Sequence, residues 1–436
     1  MNVNFAERAH NHNWKLDPIV RSLLDTDFYK LLMLQFIWKN FPAVHVTSQV
    51  CNRTVKVRLA QRVGAGALRE QMEHVKGLKY RRSELVWLAG NTFYGVRSIF
   101  EPGFLDWLSR DFRLSDYEIA ERDGQLELRF SGLWTEVTMW EIYALAIVSE
   151  LKTRAALAEL TELELDILYA RAKTRLWDKI ERLRGVEGLR LSDFGTRRRH
   201  SFLWQEYAIG ALRATLGEEF TGTSNTALAY KHNLEAIGTN AHELPMAMAA
   251  LASRGTDEDL RESQYNVLKL WQRSYGGALL IMLPDTFGTT QFLQGAPEWV
   301  ADWTGQRVDS KDPMVAGDEY IEWLEDRGRD PRSKRLIASD GLDVGDILRL
   351  QRYFAGRIRF SAGWGTLLTN DFRDCHPRGE DTFDPLSLVC KLTSVEGIPT
   401  VKLSDNAHKA TGPWDEVERY REVFGSERLV GAEVLV

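Results

Sequence analysis

The sequence predicts an α/β protein of more than one domain, on three observations. Its 436 residues exceed the roughly 250 to 300 at which one hydrophobic core usually stops growing. From about residue 185 onward, short apolar runs end in Gly, Thr, Asp or Arg clusters and give way to helix-length segments. That is the grammar of repeated strand–helix units around a parallel sheet. Before that point, and again near the C-terminus, strand-like alternation and helical spacing mix without such a repeat.

The bulk numbers allow such a fold and exclude several functions. Hydrophobic residues make up 44% and charged residues 27%, a balance that permits a large core and is too apolar for disorder. The formal charge is -6, and Lys and Arg are spread along the chain, so neither nucleic acid nor an anionic membrane finds a basic block to bind. Cys51, Cys375 and Cys390 are odd in number and lack C-x-x-C spacing. Neither a disulfide framework nor a zinc site is signalled, and no other metal ligand set is assigned. The polar start MNVNFAERAHNHNWKLDP and the lack of about 18 uninterrupted apolar residues predict a soluble, cytoplasmic protein.

Taken in order, LLDTDFYKLLMLQFIWKNFP (Leu23 to Pro42) reads as an amphipathic helix preceded by the capping-type acids Asp25 and Asp27. VHVTSQV and LELRF alternate like strands, while ALREQMEHVKGL and PGFLDWLSRDF are helical. The helix-rich residues 141 to 180 are the expected join. Seven strand-like runs follow: GLRLSDFGTR, EFTGTSN, EAIGTNAHE, ALLIMLPDTFGT, QRVDSKDP, RLIASDGLD and RIRFSAGWGT. With a further strand near TEVTMW they approach the eight of a barrel. SLVCKLTSVEGIPTVKLS is a hairpin around VEGI, expected to return to the first domain.

Each of the seven runs carries its polar cluster at the C-terminal end, where α/β folds build their sites. Gly-rich turns, hydroxyls, carboxylates and guanidinium groups converging on one face suit a phosphorylated sugar. Gly341, Gly363 and Gly365 would let backbone N–H groups approach phosphate oxygens. In DFGTRRRH, one of Arg197, Arg198 and Arg199 is expected to grip an anion through its planar fork, with one or two of the others structural. Arg307 and Asp309 alternate on a strand and so share a face, where they could clasp a ribose. His242 opens a helical run after a Gly-Thr turn, a position whose N–H dipoles favour phosphate. Tyr29 and Phe194 lie beside polar clusters and offer faces to a flat heteroaromatic ligand.

Together, SLLDTDFYKLLM, LWTEVTMWEIYALAIVSEL, LSDFGTRRRHSF, FTGTSNTALA, IGTNAHE, DTFGT, SDGLD, GWGTLLTND, PLSLVCKL and VKLSDN resemble the motifs of the nicotinate phosphoribosyltransferases. The resemblance spans nearly the whole chain. It implies an α/β sandwich built from both chain ends, residues 1–140 plus 385–436. It also implies an irregular α/β barrel of the type II phosphoribosyltransferase kind, residues 141–384, carrying the active site. The implied reaction joins the ring nitrogen of nicotinate to C1 of phosphoribosyl pyrophosphate and releases pyrophosphate. ATP hydrolysis is coupled through a transient phosphohistidine, which on matching motifs is His242, and Mg²⁺ is the implied metal. Phe194 and Tyr29 resemble the residues that sandwich the pyridine ring, Tyr29 reaching in from the neighbouring subunit of a homodimer. Arg197, Arg307 and Asp309 resemble the residues around the carboxylate and ribose phosphate, and Gly341, Gly363 and Gly365 the phosphate-binding turns.

Thr223 and Ser224 of FTGTSN complete the implied substrate site. Amide-using relatives carry an aspartate where this chain has Ser224, and a carboxylate there would repel nicotinate. Lys311 replaces the glycine of the usual DSGDP, and Cys51 and Asn52 replace part of an arginine-containing stretch, leaving Arg53. The alternative readings are a nicotinamide or quinolinate phosphoribosyltransferase and a catalytically silent ligand-binding barrel.

Overall fold

The computed structural model describes residues 17–425. Two large sheets organise them, beside a two-stranded ribbon of Thr92–Phe93 and Val96–Arg97. The first is antiparallel, in the order Ile398–Pro399, Leu388–Val395, His45–Asn52, Gln125–Leu133, Tyr117–Arg122. In HVTSQVCN the inward residues Val46, Ser48 and Val50 alternate with more exposed neighbours, as a sheet with one covered face requires. The C-terminal hairpin does return to this sheet, with Val50 opposite Cys390. Its turn residues Glu396 and Gly397 have φ of 50° and 75°, the paired positive values of a two-residue hairpin whose twist matches its strands.

The second sheet is parallel, in the order Phe220–Thr223, Leu191–Asp193, Arg359–Trp364, Arg335–Ala338, Gly305–Val308, Ile281–Met282. Six of the seven expected runs thus become its strands. EAIGTNAHE contributes only a bridge from Ala236 to Thr223. The strand expected near TEVTMW is a correction: Trp134–Val137 is a helical turn that leads into the helix Trp140–Leu157. That helix is buried along almost its whole length and packs on both Leu388–Val395 and the turn Thr196–Arg198. Burial of the following apolar run overrides a local β preference, which is weak by comparison.

The helix expected from Leu23 to Pro42 spans Phe28–Asn40, but it is not amphipathic, since every residue from Phe28 to Ile37 is buried. Its polar residues find partners inside. Gln35 donates to the Ile99 carbonyl and to the Tyr275 hydroxyl at 3.0 and 2.9 Å and accepts from Glu101 N at 2.6 Å. A helix covered on all sides in this way belongs to the core. One apolar cluster, including Phe28, Trp134, Trp140, Trp271 and Trp364, runs continuously through both units.

Candidate active site

The parallel sheet delivers its polar clusters to one cavity. Tyr29, Phe194, Arg197, His242, Arg307, Asp309, Gly341 and Gly365 all line it. Phe194 and Arg197 are held by the turn after Leu191–Asp193. Asp193 is fully buried and accepts hydrogen bonds from Gly195 N, Gln205 Nε2 and Thr223 Oγ1 at 2.9, 2.9 and 2.7 Å. Burial pushes its carboxyl up to about 6 against those hydrogen bonds. Only glycine fits at 195, because a Cβ there would stand 2.2 Å from Thr369 Oγ1.

Tyr29 lines the cavity as its own chain forms it. The cause is local pairing. Asp27 bridges Asn225, Phe28 N donates to the Ser224 carbonyl at 2.7 Å, and Thr226 N donates to the Thr26 carbonyl at 2.8 Å. Gly238, with φ 149°, completes the fit, since a Cβ there would come within 2.8 Å of Tyr29 N. Both aromatic rings thus line the cavity formed by one chain. If each site is complete within one chain, mixing Tyr29→Ala with Phe194→Ala enzyme should restore no activity. Sites shared between subunits would regain a wild-type Tyr29–Phe194 pair in half of each mixed dimer.

His242 stands between two acids and a hydroxyl. Its Nε2 is 3.0 Å from Asp309 Oδ2 and 3.5 Å from Asp285 Oδ1, and its Nδ1 is 2.9 Å from Thr286 Oγ1. Burial lowers the imidazole's affinity for a second proton, although both aspartates oppose that. Burial would raise the Asp309 carboxyl, but the His242 hydrogen bond and the charges of Arg307 and Lys402 outweigh it and hold it well below the carboxylate range. The consistent state is a neutral imidazole donating Nε2–H to an ionised Asp309, with Nδ1 accepting from Thr286. Ligand atoms of His242, Asp285 and Asp309 lie within 4.8 Å of one another.

The cavity also holds a group of cations that no single sequence motif announced. Arg53, Arg198, Lys391, Lys402 and Lys409 line it together with Asp309 and Asp340. Arg53, Lys391, Lys402 and Lys409 come from the two ends of the chain, Arg198 from the turn after Leu191–Asp193. Arg198 Nε donates to the Leu388 carbonyl at 2.9 Å, and Lys409 Nζ to Asp340 Oδ2 at 2.5 Å. Burial disfavours the charged forms of Arg53, Arg198, Lys391 and Lys402, and the neighbouring cations add to it. Lys391 is pushed down to about 7. Such a cluster is electrostatically strained until an anion enters it. In sequence these residues fall on separate strands and loops, and only folding collects them.

The remaining expected residues sit behind the wall. Thr223 and Ser224 are fully buried and do not line the cavity. Ser224 Oγ instead donates to Asp27 Oδ1 at 2.7 Å, and Asp27 does line it. Gly363 lies against the back of Phe194, where a Cβ would be 3.1 Å from the ring. It faces a second cavity that shares Phe194 and Arg307 with the first. Arg307 donates to the Asn240 carbonyl at 3.0 Å, but its buried Nε has no hydrogen-bond partner. Of the three arginines, Arg199 is wholly buried and pairs with Asp25 through two hydrogen bonds of 2.7 and 2.8 Å. Lys311 does not reach the cavity: it pairs with Glu319 at 2.5 Å, and its φ is not one that requires glycine. Cys51 is exposed, whereas Arg53 lines the cavity.

Comparison with known proteins decides among the readings that this geometry allows. A model of the nicotinate phosphoribosyltransferase family matches residues 189–428, and a model of that family's N-terminal domain matches residues 24–149. The chain belongs to the nicotinate phosphoribosyltransferase family. Among solved structures it is similar to nicotinate phosphoribosyltransferase from Vibrio cholerae, with 31% identity over 95% of this chain and 96% of that one, at a TM-score of 0.83. The enzyme from Porphyromonas gingivalis matches at 29% identity over 93% and 100% of the two chains, TM-score 0.81. A putative nicotinate phosphoribosyltransferase from Saccharomyces cerevisiae matches at 27% identity over 94% and 99%, TM-score 0.80. As a member of this family the chain is an enzyme of NAD biosynthesis. No helix among its described residues is long and apolar enough to cross a membrane.

Proposed function

We infer that the chain forms nicotinate mononucleotide and pyrophosphate from nicotinate and phosphoribosyl pyrophosphate, with ATP hydrolysis coupled through His242. The observation that carries this reading is one cavity lined by two aromatic rings, an imidazole flanked by two aspartates, and a five-cation cradle. Phe194 and Tyr29 offer faces to the pyridine ring, and the guanidinium groups of Arg197 and Arg307, both lining the cavity, offer donors to its carboxylate. The ring nitrogen supplies the electron pair for the bond to C1, and the C1–O bond to pyrophosphate breaks with its electrons leaving on oxygen. Arg53, Arg198, Lys391, Lys402 and Lys409 are placed to take up that departing charge.

Hydrogen bonding of Nε2–H to Asp309, with Asp285 beside it, makes the opposite nitrogen of His242 the more basic one. Once Thr286 releases it, Nδ1 can attack the γ-phosphorus of ATP, the N–P bond forming as the P–O bond to ADP breaks with its electrons leaving on the ADP oxygen, while the acids balance the charge the imidazole acquires. The donor set also fits Mg²⁺, since Asp285 Oδ1 is buried without a hydrogen-bond partner and Asp309 lies beside it. Asp285 and Asp309 would hold the ion, which would neutralise phosphate oxygens. The three cysteines, all free, suit a reducing cytoplasm.

Turnover assays with nicotinate and with nicotinamide, each with and without ATP, test the assignment. Product formed from nicotinate and stimulated by ATP is expected; equal use of the amide would defeat it.

Lys391 gives the site a pH signature. Because burial and neighbouring cations set its ordinary loss of charge near pH 7, the cradle is fully cationic below that value and loses one charge as pH rises through it. The KM for phosphoribosyl pyrophosphate should therefore climb between pH 6 and 8.5 in the wild type, and Lys391→Arg should flatten that climb. Identical profiles for both enzymes would remove Lys391 from the cradle.

A further inference from the structure

Lys30 has no solvent-exposed side-chain surface, yet it follows Tyr29 and lies between two acids that line the cavity. Its Nζ is 2.7 Å from Glu141 Oε2, 2.6 Å from Glu243 Oε2 and 3.4 Å from Thr138 Oγ1. Each acid has a further tie. Glu141 Oε1 lies 3.4 Å from Arg197 Nη1, and its Oε2 is 3.5 Å from the Tyr29 hydroxyl. Glu243 accepts from Trp134 Nε1 at 2.6 Å and opens the helix Glu243–Ala252 directly after His242. One buried cation therefore joins the residues that clamp the ring to the backbone that carries the histidine.

Packing alone does not explain a lysine here. An ammonium group taken out of water costs several kcal/mol even after relaxation, and an apolar side chain of similar length would avoid that cost. Within the network, Lys30 and Arg197 balance Glu141 and Glu243. Arg197 is also the group expected to meet the carboxylate of nicotinate. A ligand carboxylate that takes over Arg197 leaves Glu141 short of positive charge. Glu141 then draws more strongly on Lys30, and the hold of Lys30 on Glu243 weakens. The change arrives at the residue next to His242.

We propose that Lys30 is a positioning residue that couples occupancy of the pyridine site to the setting of His242. The proposal rests on the reading of His242 as the group through which ATP hydrolysis is coupled. Coupling of this kind is reciprocal, so phosphate at His242 also alters the hold on nicotinate.

The test uses the full chain in three forms: wild type, Lys30→Met and Glu243→Gln. The glutamine keeps an oxygen for Trp134 and replaces the oxygen facing Lys30 with an amide nitrogen, which removes both the charge that Lys30 balances and its acceptor there. The readouts are the ratio of ATP hydrolysis at saturating nicotinate to that without it, and the KM for phosphoribosyl pyrophosphate. Both variants should lose about tenfold in the stimulation ratio while the phosphoribosyl pyrophosphate KM moves by no more than about twofold. A purely structural role would lower thermal stability and leave the ratio at its wild-type value, which would overturn the proposal. If Lys30→Met does not fold, Glu243→Gln decides it by the same ratio. A wild-type enzyme whose ATP hydrolysis ignores nicotinate would instead overturn the coupling through His242, a different failure from unchanged stimulation in the variants.

Discussion

His242→Ala is expected to abolish nicotinate-stimulated ATP hydrolysis, a loss on the order of 10³-fold or more, the scale of removing a covalent nucleophile. Synthesis of nicotinate mononucleotide should persist at a reduced, ATP-independent rate. The reason is spatial: the aromatic pair, Arg197, Arg307 and the cationic cradle line the same cavity but do not depend on the imidazole for their placement. A phosphohistidine is anionic and high in energy, so on this reading its formation and loss would switch the charge beside the cationic cradle between two stages of the cycle. Mass spectrometry after brief ATP exposure, under conditions that preserve acid-labile phosphate, should place the phosphate on His242 in the wild type. Phosphate on another residue, or undiminished coupling in His242→Ala, would remove the histidine from its role.

The largest stability effect is expected at Arg199→Met. Arg199 is wholly buried, makes a two-pronged pair with Asp25, and lies 3.7 Å from Glu150. The methionine would fill much of the volume and leave those acids buried without their main counter-charge, a loss of about 3–5 kcal/mol. Asn225 Nδ2, 2.7 Å from Asp25, and Arg154, 3.0 Å from Glu150, offset part of it. Arg329→Met is the control. Its pairs with Glu298 and Asp302 lie on the surface, with both acids mostly exposed, so its cost should be small beside that of Arg199→Met. Urea unfolding that gave both variants the same midpoint would show that the buried pair contributes little to stability.

These two residues show unequal legibility in the sequence. His242 could be singled out because a Gly-Thr turn before a helical run has a local meaning, and so could the strand-end clusters around Asp193, Arg307 and Gly365. For Arg197, Arg198 and Arg199, sequence could say only that neighbours cannot all point one way. Folding assigned one to the cavity wall beside Glu141, one to the cradle, and one to the interior with Asp25. Nothing local separates three consecutive arginines of identical chemistry.

Hydrophobic pattern and turn chemistry, which act over a few residues, were enough to determine the α/β class, six of the parallel strands, the returning C-terminal hairpin and the family motifs. Tertiary structure decided what depends on partners distant in the chain. TEVTMW became helix because the run after it is buried, and the helix Phe28–Asn40 lost its expected solvent face because Lys30 and Gln35 found partners inside. Tyr29 entered its own chain's cavity through the pairing of Asp27 with Asn225. The cradle of Arg53, Arg198, Lys391, Lys402 and Lys409 exists only once both chain ends meet at the parallel sheet. Electrostatic strain among those cations is a property of that meeting, since it arises from burial and distance, and neither is written in any one segment.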